Sequence, residues 1–366
     1  MKVLMTADAV GGVWTYSLDL AAGLAPHGVE VVLAVLGPAP SAPQRTAAAA
    51  LPNVEVVELG SRLEWMPDAW REVDESGERL LRLADARSVA LVHLNGYAHA
   101  ALPWRRPVVA VAHSCVVSWW QAVHGTDPPA EWDAYRRRVS AGLAAADAVV
   151  APTAAFLERL RRAHGPLHRT RVVGNGRDAA AFVRARRTRR ADVVFACGRL
   201  WDEAKDMRSV DAVAAHLRWP VRIAGDATGP SGRTFGATGA DCLGRLSAEA
   251  VADEMGRAAV FVHPSRYEPF GLAPLEAAHA GCALVLADLP ELRELWQGAA
   301  EFVPPGDERA LRAALSGLID DATRRASLAT AARERATRYD VATMAAAYES
   351  LYRGLHVAGR EARAVA

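Results

Sequence analysis

The chain has 366 residues, 51% of them hydrophobic, and a formal charge of +1. That length suits two α/β cores of about 150 to 200 residues better than one. The near-neutral charge excludes the basic excess of a nucleic-acid binder, and no uncharged apolar run approaches the ~20 residues needed to cross a bilayer.

Lys2 and Lys205 are the only lysines, so arginine supplies nearly all the positive charge. Cys115, Cys197, Cys242 and Cys282 show no C-x-x-C spacing and read as free thiols in a reducing compartment. Lys2 is followed by only three apolar residues before Thr6, too short for a secretory core. The expectation is a cytoplasmic protein with membrane contact at most peripheral.

Residues 2–8 read as a buried strand, 9–12 as a turn ending on glycine, and 13–25 as a helix with Val13, Leu20, Ala21 and Leu24 on one face. Pro26 and Gly28 stop that helix, and a strand follows at 29–36. The opening is thus a β-α-β unit, which implies parallel strands. Further strands are expected at 54–58, 89–93, 108–112, 147–151 and 170–173, with helices at 68–86 and 130–145. Around 177–191 the character changes to Arg184-Ala185-Arg186-Arg187-Thr188-Arg189-Arg190, with no interleaved aromatics. A solvated linker fits this run better than a nucleic-acid patch.

A second alternation follows, with strands at 193–197, 221–225, 258–263, 282–287 and 301–303. Helices are expected near 207–217, 247–256, 273–280 and 307–320, and the last ~45 residues read as helical, interrupted at Tyr339-Asp340. The pattern predicts two doubly wound parallel-sheet domains, 1–178 and 192–338, joined by a linker at 179–191, with a final segment 339–366. Ligands of such sheets bind beyond the carboxyl ends of the strands.

The densest chemistry lies in His263-Pro264-Ser265-Arg266-Tyr267-Glu268-Pro269-Phe270-Gly271-Leu272-Ala273-Pro274-Leu275-Glu276. A strand ends near His263, and Pro274 suits the first turn of a helix. The intervening loop offers free amides near Gly271, where a phosphate can approach the backbone closely. Glu268 and Glu276 can then face one ligand. A capping role for Glu276 is the competing reading, weakened because Ala273 stands where a capping box needs Ser or Thr.

The E-x7-E arrangement enclosing Pro-Phe-Gly-Leu resembles the donor-site signature of retaining glycosyltransferases of family 4, which have the GT-B fold. Other segments agree in order. Gly198-Arg199-Leu200-Trp201-Asp202-Glu203-Ala204-Lys205 resembles the strand-end segment whose Arg and Lys hold the donor diphosphate. Asn175-Gly176-Arg177-Asp178 resembles the family's Asn-Gly-Val-Asp, with Arg177 in place of Val. Ala224-Gly225-Asp226 resembles its Gly-Asp turn, and Gly11-Gly12 its glycine loop. His113, at the end of the strand 108–112, stands where the family has an active-site histidine near the transferred sugar.

The resemblance implies two facing Rossmann-like domains with terminal helices crossing back to the first. It implies transfer of a hexosyl unit from a UDP, GDP or ADP sugar, with retention, to a small-molecule, saccharide or lipid-linked acceptor. The expected catalytic residues are His113, Arg199, Lys205 and Glu268. The expected donor contacts are Gly11, Gly12, Asn175, Gly198, Asp226, Pro269, Phe270, Gly271, Leu272 and Glu276. Fixed cations beside a departing diphosphate stabilise its developing charge, and two of them can replace a divalent metal. With no Asp-x-Asp near a strand end, neither metal nor other cofactor is expected.

Trp119, Trp120, His93 and Asn95 are candidates for an acceptor wall, and loops 60–72 and 114–130 for acceptor choice. A surface loop with Arg199 and Lys205 paired to Asp202, Glu203 or Asp206 is the plainer alternative for those cations. Gly174-Asn175-Gly176-Arg177-Asp178-Ala179 formally fits a dinucleotide fingerprint, but it ends a domain instead of opening a β-α-β unit. The functional alternatives are a sugar-nucleotide epimerase or hydrolase on the same fold, and a non-catalytic nucleotide-sugar-binding subunit.

Overall fold

The computed structural model describes residues 1–187, 190–229, 232 and 234–365; Thr188 and Arg189 of the arginine run lie outside them. The chain forms two compact units. The N-terminal unit takes Met1–Gln121, Thr126–Gly176 and the segment from Val341, and the C-terminal unit takes Ala122–Gly125 and Arg177–Asp340.

The N-terminal unit is built on seven parallel strands: β1 (Lys2–Asp8), β2 (Glu30–Leu36), β3 (Val54–Glu58), β4 (Leu91–Leu94), β5 (Val108–Val111), β6 (Ala148–Ala151) and β7 (Thr170–Val172). Their order is β3-β2-β1-β4-β5-β6-β7, so the winding reverses between β1 and β4. Continuous apolar runs such as those of β1, β4 and β5 are what a sheet covered on both faces requires. The helices are α1 (Gly12–Leu24), α2 (Ala42–Ala49), α3 (Trp70–Ala86), α4 (Val116–His124), α5 (Asp133–Ala145) and α6 (Ala154–His164).

The C-terminal unit opens with α7 (Ala180–Ala185) and holds β8 (Ala191–Cys197), β9 (Val221–Ala224), β10 (Asp241–Cys242), β11 (Ala258–His263), β12 (Ala283–Ala287) and β13 (Glu301–Val303). Their order is β10-β9-β8-β11-β12-β13, with the reversal between β8 and β11. Its remaining helices are α8 (Met207–Ala214), α9 (Ala248–Arg257), α10 (Leu272–Ala280), α11 (Pro290–Trp296), α12 (Glu308–Asp320) and α13 (Ala322–Ala336). The last helix, α14 (Val341–Val365), returns to the N-terminal unit, where Met344, Ala345, Tyr348 and Tyr352 join the core beside Tyr16 and Leu20. Gly23 of α1 makes room for it: a Cβ there would lie 2.7 Å from Ala345 and Val341.

Two expectations change. The segment 179–191 is solvated only in part: Arg184, Arg186 and Arg187 are exposed, but Phe182 and Ala185 of α7 are buried in the C-terminal core. Arg190 donates to the carbonyl oxygens of Ala258 (2.6 Å), Met255 and Ala280. An arginine read as a solvated charge thus serves as a clamp on backbone acceptors. The stretch 114–130, read as a loop, instead forms α4 over Val116–His124. Its apolar run lacks the polar face that marks an amphipathic helix, which is why periodicity missed it. The four cysteines are free thiols. Among the described residues no helix is long and apolar enough to cross a membrane.

Candidate active site

In the C-terminal unit β8 and β11 are hydrogen-bonded neighbours, with Val194 opposite Val260 and Phe195 opposite Phe261. The loops after them therefore leave adjacent strand ends at the point where the sheet's winding reverses, the usual ligand position in such folds. Gly198 and Gly225 make the crossing possible. Gly225 has φ +145°, and a Cβ there would sit 1.7 Å from the Gly198 oxygen. The amide of Leu200 then donates to the carbonyl of Asp226 (2.9 Å). The Asp226 side chain lies 3.8 Å from Arg245 and about half exposed.

The two loops are joined by three bonds. The Arg266 amide donates to the Ala204 carbonyl (2.8 Å), the Arg266 guanidinium lies 3.5 Å from Asp206, and Lys205 Nζ lies 2.6 Å from Glu268 Oε2. His263, 2% exposed, also donates through Nε2 to Glu268 Oε2 (2.8 Å), with Ser265 Oγ 2.9 Å from the same nitrogen. Burial alone would raise the Glu268 pKa, but the Lys205 charge and the His263 bond hold it far below the ordinary carboxylate range. Asp206, which follows Lys205, adopts φ +49°, a left-handed conformation rare for a non-glycine residue. Such strain persists only where the surroundings enforce it, here by the Ser209 bond and Arg266.

Arg199 lies on the same loop with its side chain 43% exposed, bonded to Asp202 (2.7 Å) and over the Trp201 ring. The two expected cations thus differ: Arg199 takes the local pairing that a plain surface loop predicts, and Lys205 reaches 63 residues onward into a buried pair.

Gly271 starts α10 in the left-handed region (φ +89°), with no side-chain cap and no acidic residue in the first turn. The Glu276 carboxylate does not cap that helix; it accepts from Arg177 Nε (2.7 Å), each side chain 15% exposed. Burial raises the Glu276 pKa more than Arg177 lowers it. Phe270 is 4% exposed and packs edge-on against Tyr339 (5.6 Å), so its ring belongs to the core and only its backbone is left for a ligand. Pro269 is buried and Leu272 half-buried.

In the N-terminal unit Gly11 caps α1 with no side-chain bond, and Gly12 is exposed. His113 is half-buried beyond β5, its ring edge-on to Tyr16 at 4.4 Å. Asn95, beyond β4, lies 2.8 Å from His113 Nε2 through Oδ1. His93 is fully buried, with one ring nitrogen 3.0 Å from Asn95 Oδ1 and the other 2.6 Å from Tyr352 of α14. Its ring is closed off from solvent, so it presents no surface to an acceptor. Trp119 and Trp120 are half-buried on α4, edge-on to each other at 6.2 Å. Asn175 is buried at the end of the unit, where the Gly176 amide meets Met344.

Three residues of this arrangement escaped the sequence reading: His263 as a partner of Glu268, Arg177 as a partner of Glu276, and Tyr352. His263 carried a usable signal, since like His113 it is a histidine closing a buried strand. Among the described residues no group of three or more His, Cys, Asp or Glu side chains could hold a metal ion.

A family model described as Glycosyltransferase Family 4 matches residues 10–181, and one described as Glycosyl transferases group 1 matches residues 191–321. Glycogen synthase of Mycobacterium tuberculosis is 28% identical over 96% of this chain and 94% of its own length. Sucrose-phosphate synthase of Thermosynechococcus elongatus superposes with a TM-score of 0.80 at 20% identity, covering 98% of this chain and all of the other. HepE of Anabaena, solved with UDP-glucose, superposes at 0.76 and 19% identity over 97% of this chain and all of the other. Likenesses at these identities speak for the fold. Two doubly wound parallel sheets and the two family matches together define a glycosyltransferase of the GT-B fold. Within that class, residues 10–181 match glycosyltransferase family 4, the family that the donor-site motif resembles.

Proposed function

We propose that the protein transfers a hexosyl unit from a nucleoside diphosphate sugar to an acceptor, with retention of configuration and without a metal. The observation that carries this is the Lys205–Glu268 pair, which joins the loop after β8 to the loop that leads into the uncapped start of α10. Lys205 is assigned to the leaving diphosphate with Arg199, and Glu268 to the sugar hydroxyls. Glu276 is assigned to the ribose and His113 to the transferred sugar. The amide end of α10 supplies partial positive charge to a phosphate.

Chemically, the bond from the anomeric carbon to the diphosphate oxygen breaks and negative charge grows on that oxygen. An ammonium already fixed by Glu268 needs no reorganisation to meet it, which favours the transition state over the ground state. The acceptor oxygen attacks from the face the diphosphate leaves, and its proton passes to the departing phosphate. Glu268 is occupied by Lys205 and His263, so no carboxylate is assigned as a nucleophile. HepE, solved with UDP-glucose, supports a UDP sugar as donor, beside GDP and ADP sugars, with a small-molecule, saccharide or lipid-linked acceptor.

The test is Lys205→Ala. Turnover should fall by on the order of 10²- to 10³-fold with the fold intact by circular dichroism. Turnover close to wild type would remove the cation from the mechanism. Incubation with donor alone should release little free sugar; rapid release would identify a hydrolase instead.

A further inference from the structure

We propose that Asn95 is a positioning residue that fixes the tautomer of His113, holding Nε2 protonated and leaving Nδ1 as the ring's hydrogen-bond acceptor. The inference rests on the reading that His113 meets the transferred sugar, and it specifies what that ring can recognise.

Asn95 Nδ2 lies 2.7 Å from the Thr6 backbone carbonyl and 3.1 Å from Ser17 Oγ. A carbonyl oxygen only accepts, so the amide NH₂ must face it, and the Asn95 orientation follows from the network. Its Oδ1 then faces His113 Nε2 (2.8 Å) and His93 Nε2 (3.0 Å). An amide oxygen cannot donate, so both imidazoles must carry a proton on Nε2. A neutral ring holds one proton, which leaves Nδ1 bare in each. In His93 that atom accepts from the Tyr352 hydroxyl (2.6 Å), closing the chain on α14. In His113 Nδ1 has no partner among the described residues.

The rings also have reason to stay neutral. Burial pushes His93 down to about 4 and His113 down to about 3, the latter helped by the neighbouring ring. The Asn95 backbone N–H donates to Thr6 Oγ1 (2.9 Å), tying the whole assembly to β1. One amide side chain at the sheet's reversal therefore orients two histidines, and a hydroxyl midway along α14 sets the buried one. The ring offered to the sugar is an acceptor: it suits a hydroxyl that donates and rejects a fluorine or an ether oxygen at that place.

The experiment is nitrogen NMR of the full chain labelled with ¹⁵N-histidine, with ring 113 assigned by its loss in His113→Gln. The wild type should show Nε2 protonated and Nδ1 bare throughout pH 6 to 8. Asn95→Leu should turn ring 113 into a tautomer mixture and lower kcat/KM by about 10- to 100-fold. Tyr352→Phe should release His93 while leaving ring 113 locked. A wild-type ring 113 protonated on Nδ1, or on both nitrogens, overturns the proposal, and that spectrum needs no variant to fold. A ring 113 unchanged in folded Asn95→Leu overturns it too. A scrambled tautomer with unchanged turnover would uphold the lock and instead remove His113 from the reaction.

Discussion

Glu268 and Glu276 carry the same side chain under opposite conditions. Glu268 lies between Lys205 and His263 and stays ionised far into acid, whereas for Glu276 burial outweighs its one guanidinium partner, and its carboxyl is pushed up. The sign for Glu268 follows from linkage. Its folded pKa lies below the ordinary 4.5, so the pair's stabilisation is fully present above that value and drains away as the pH falls through the folded pKa. Lys205→Met should cost about 3 kcal/mol at neutral pH, since it strands a mostly buried carboxylate. In urea denaturation the gap between wild type and variant should be widest at neutral pH and narrow below about pH 4.5; a constant gap would mean that the charge pair is not the cause. Glu276 has the reverse sign: its ionised form works against the native state as pH rises, and ribose hydroxyls donating to it would relieve that cost.

At the scale of elements, the site depends on strand ends that pass each other at backbone distance. Gly225 has no room for a methyl group, because Gly198 lies directly against it, and its φ of +145° is strained for any other residue. Gly225→Ala should therefore lower stability by more than about 2 kcal/mol and weaken donor binding together with it. A thermal midpoint within a degree of wild type would show that the turn relaxes freely. The sequence made this turn visible as Gly225-Asp226 after an apolar run, and it made Pro274 visible as a helix start. It did not reveal α6, although Thr153 caps it through the Phe156 amide and Arg161, Arg162 and His164 close it. The signals there were local and ordinary; the strands around it drew the attention because buried parallel strands stand out as unbroken apolar runs. The two-residue β10 left no such run to find.

Across the whole molecule, the chain's last helix belongs to the first unit's core. Tyr352 and Ala345 are completely buried there, and Tyr348 and Met344 are 1% exposed. Met344, Tyr348 and Tyr352 each contribute on the order of 1.5 to 3 kcal/mol, which together rivals the ~5 to 15 kcal/mol that holds a domain folded. Truncation after Asp340 should yield no soluble, cooperatively melting protein; a truncated chain with a normal calorimetric transition would contradict this packing. Alternation of strand and helix patterns made the two-sheet architecture legible, and the motif spacing brought the 199–205 and 268–276 segments to one place. What stayed hidden were pairings between residues far apart in sequence: Lys205 with Glu268, Arg177 with Glu276, and Asn95 with Thr6, His113 and, through His93, Tyr352. No local pattern encodes a hydrogen bond that spans 259 residues.

In the proposed mechanism a nucleoside diphosphate sugar binds where Lys205 meets the start of α10. Calorimetric titration of UDP-, GDP- and ADP-glucose into the wild type and into Lys205→Ala tests it most directly. At least one donor should bind the wild type saturably, with a loss of about tenfold or more in the variant, the weight of one charge-assisted contact. Equal affinity for both proteins would contradict it.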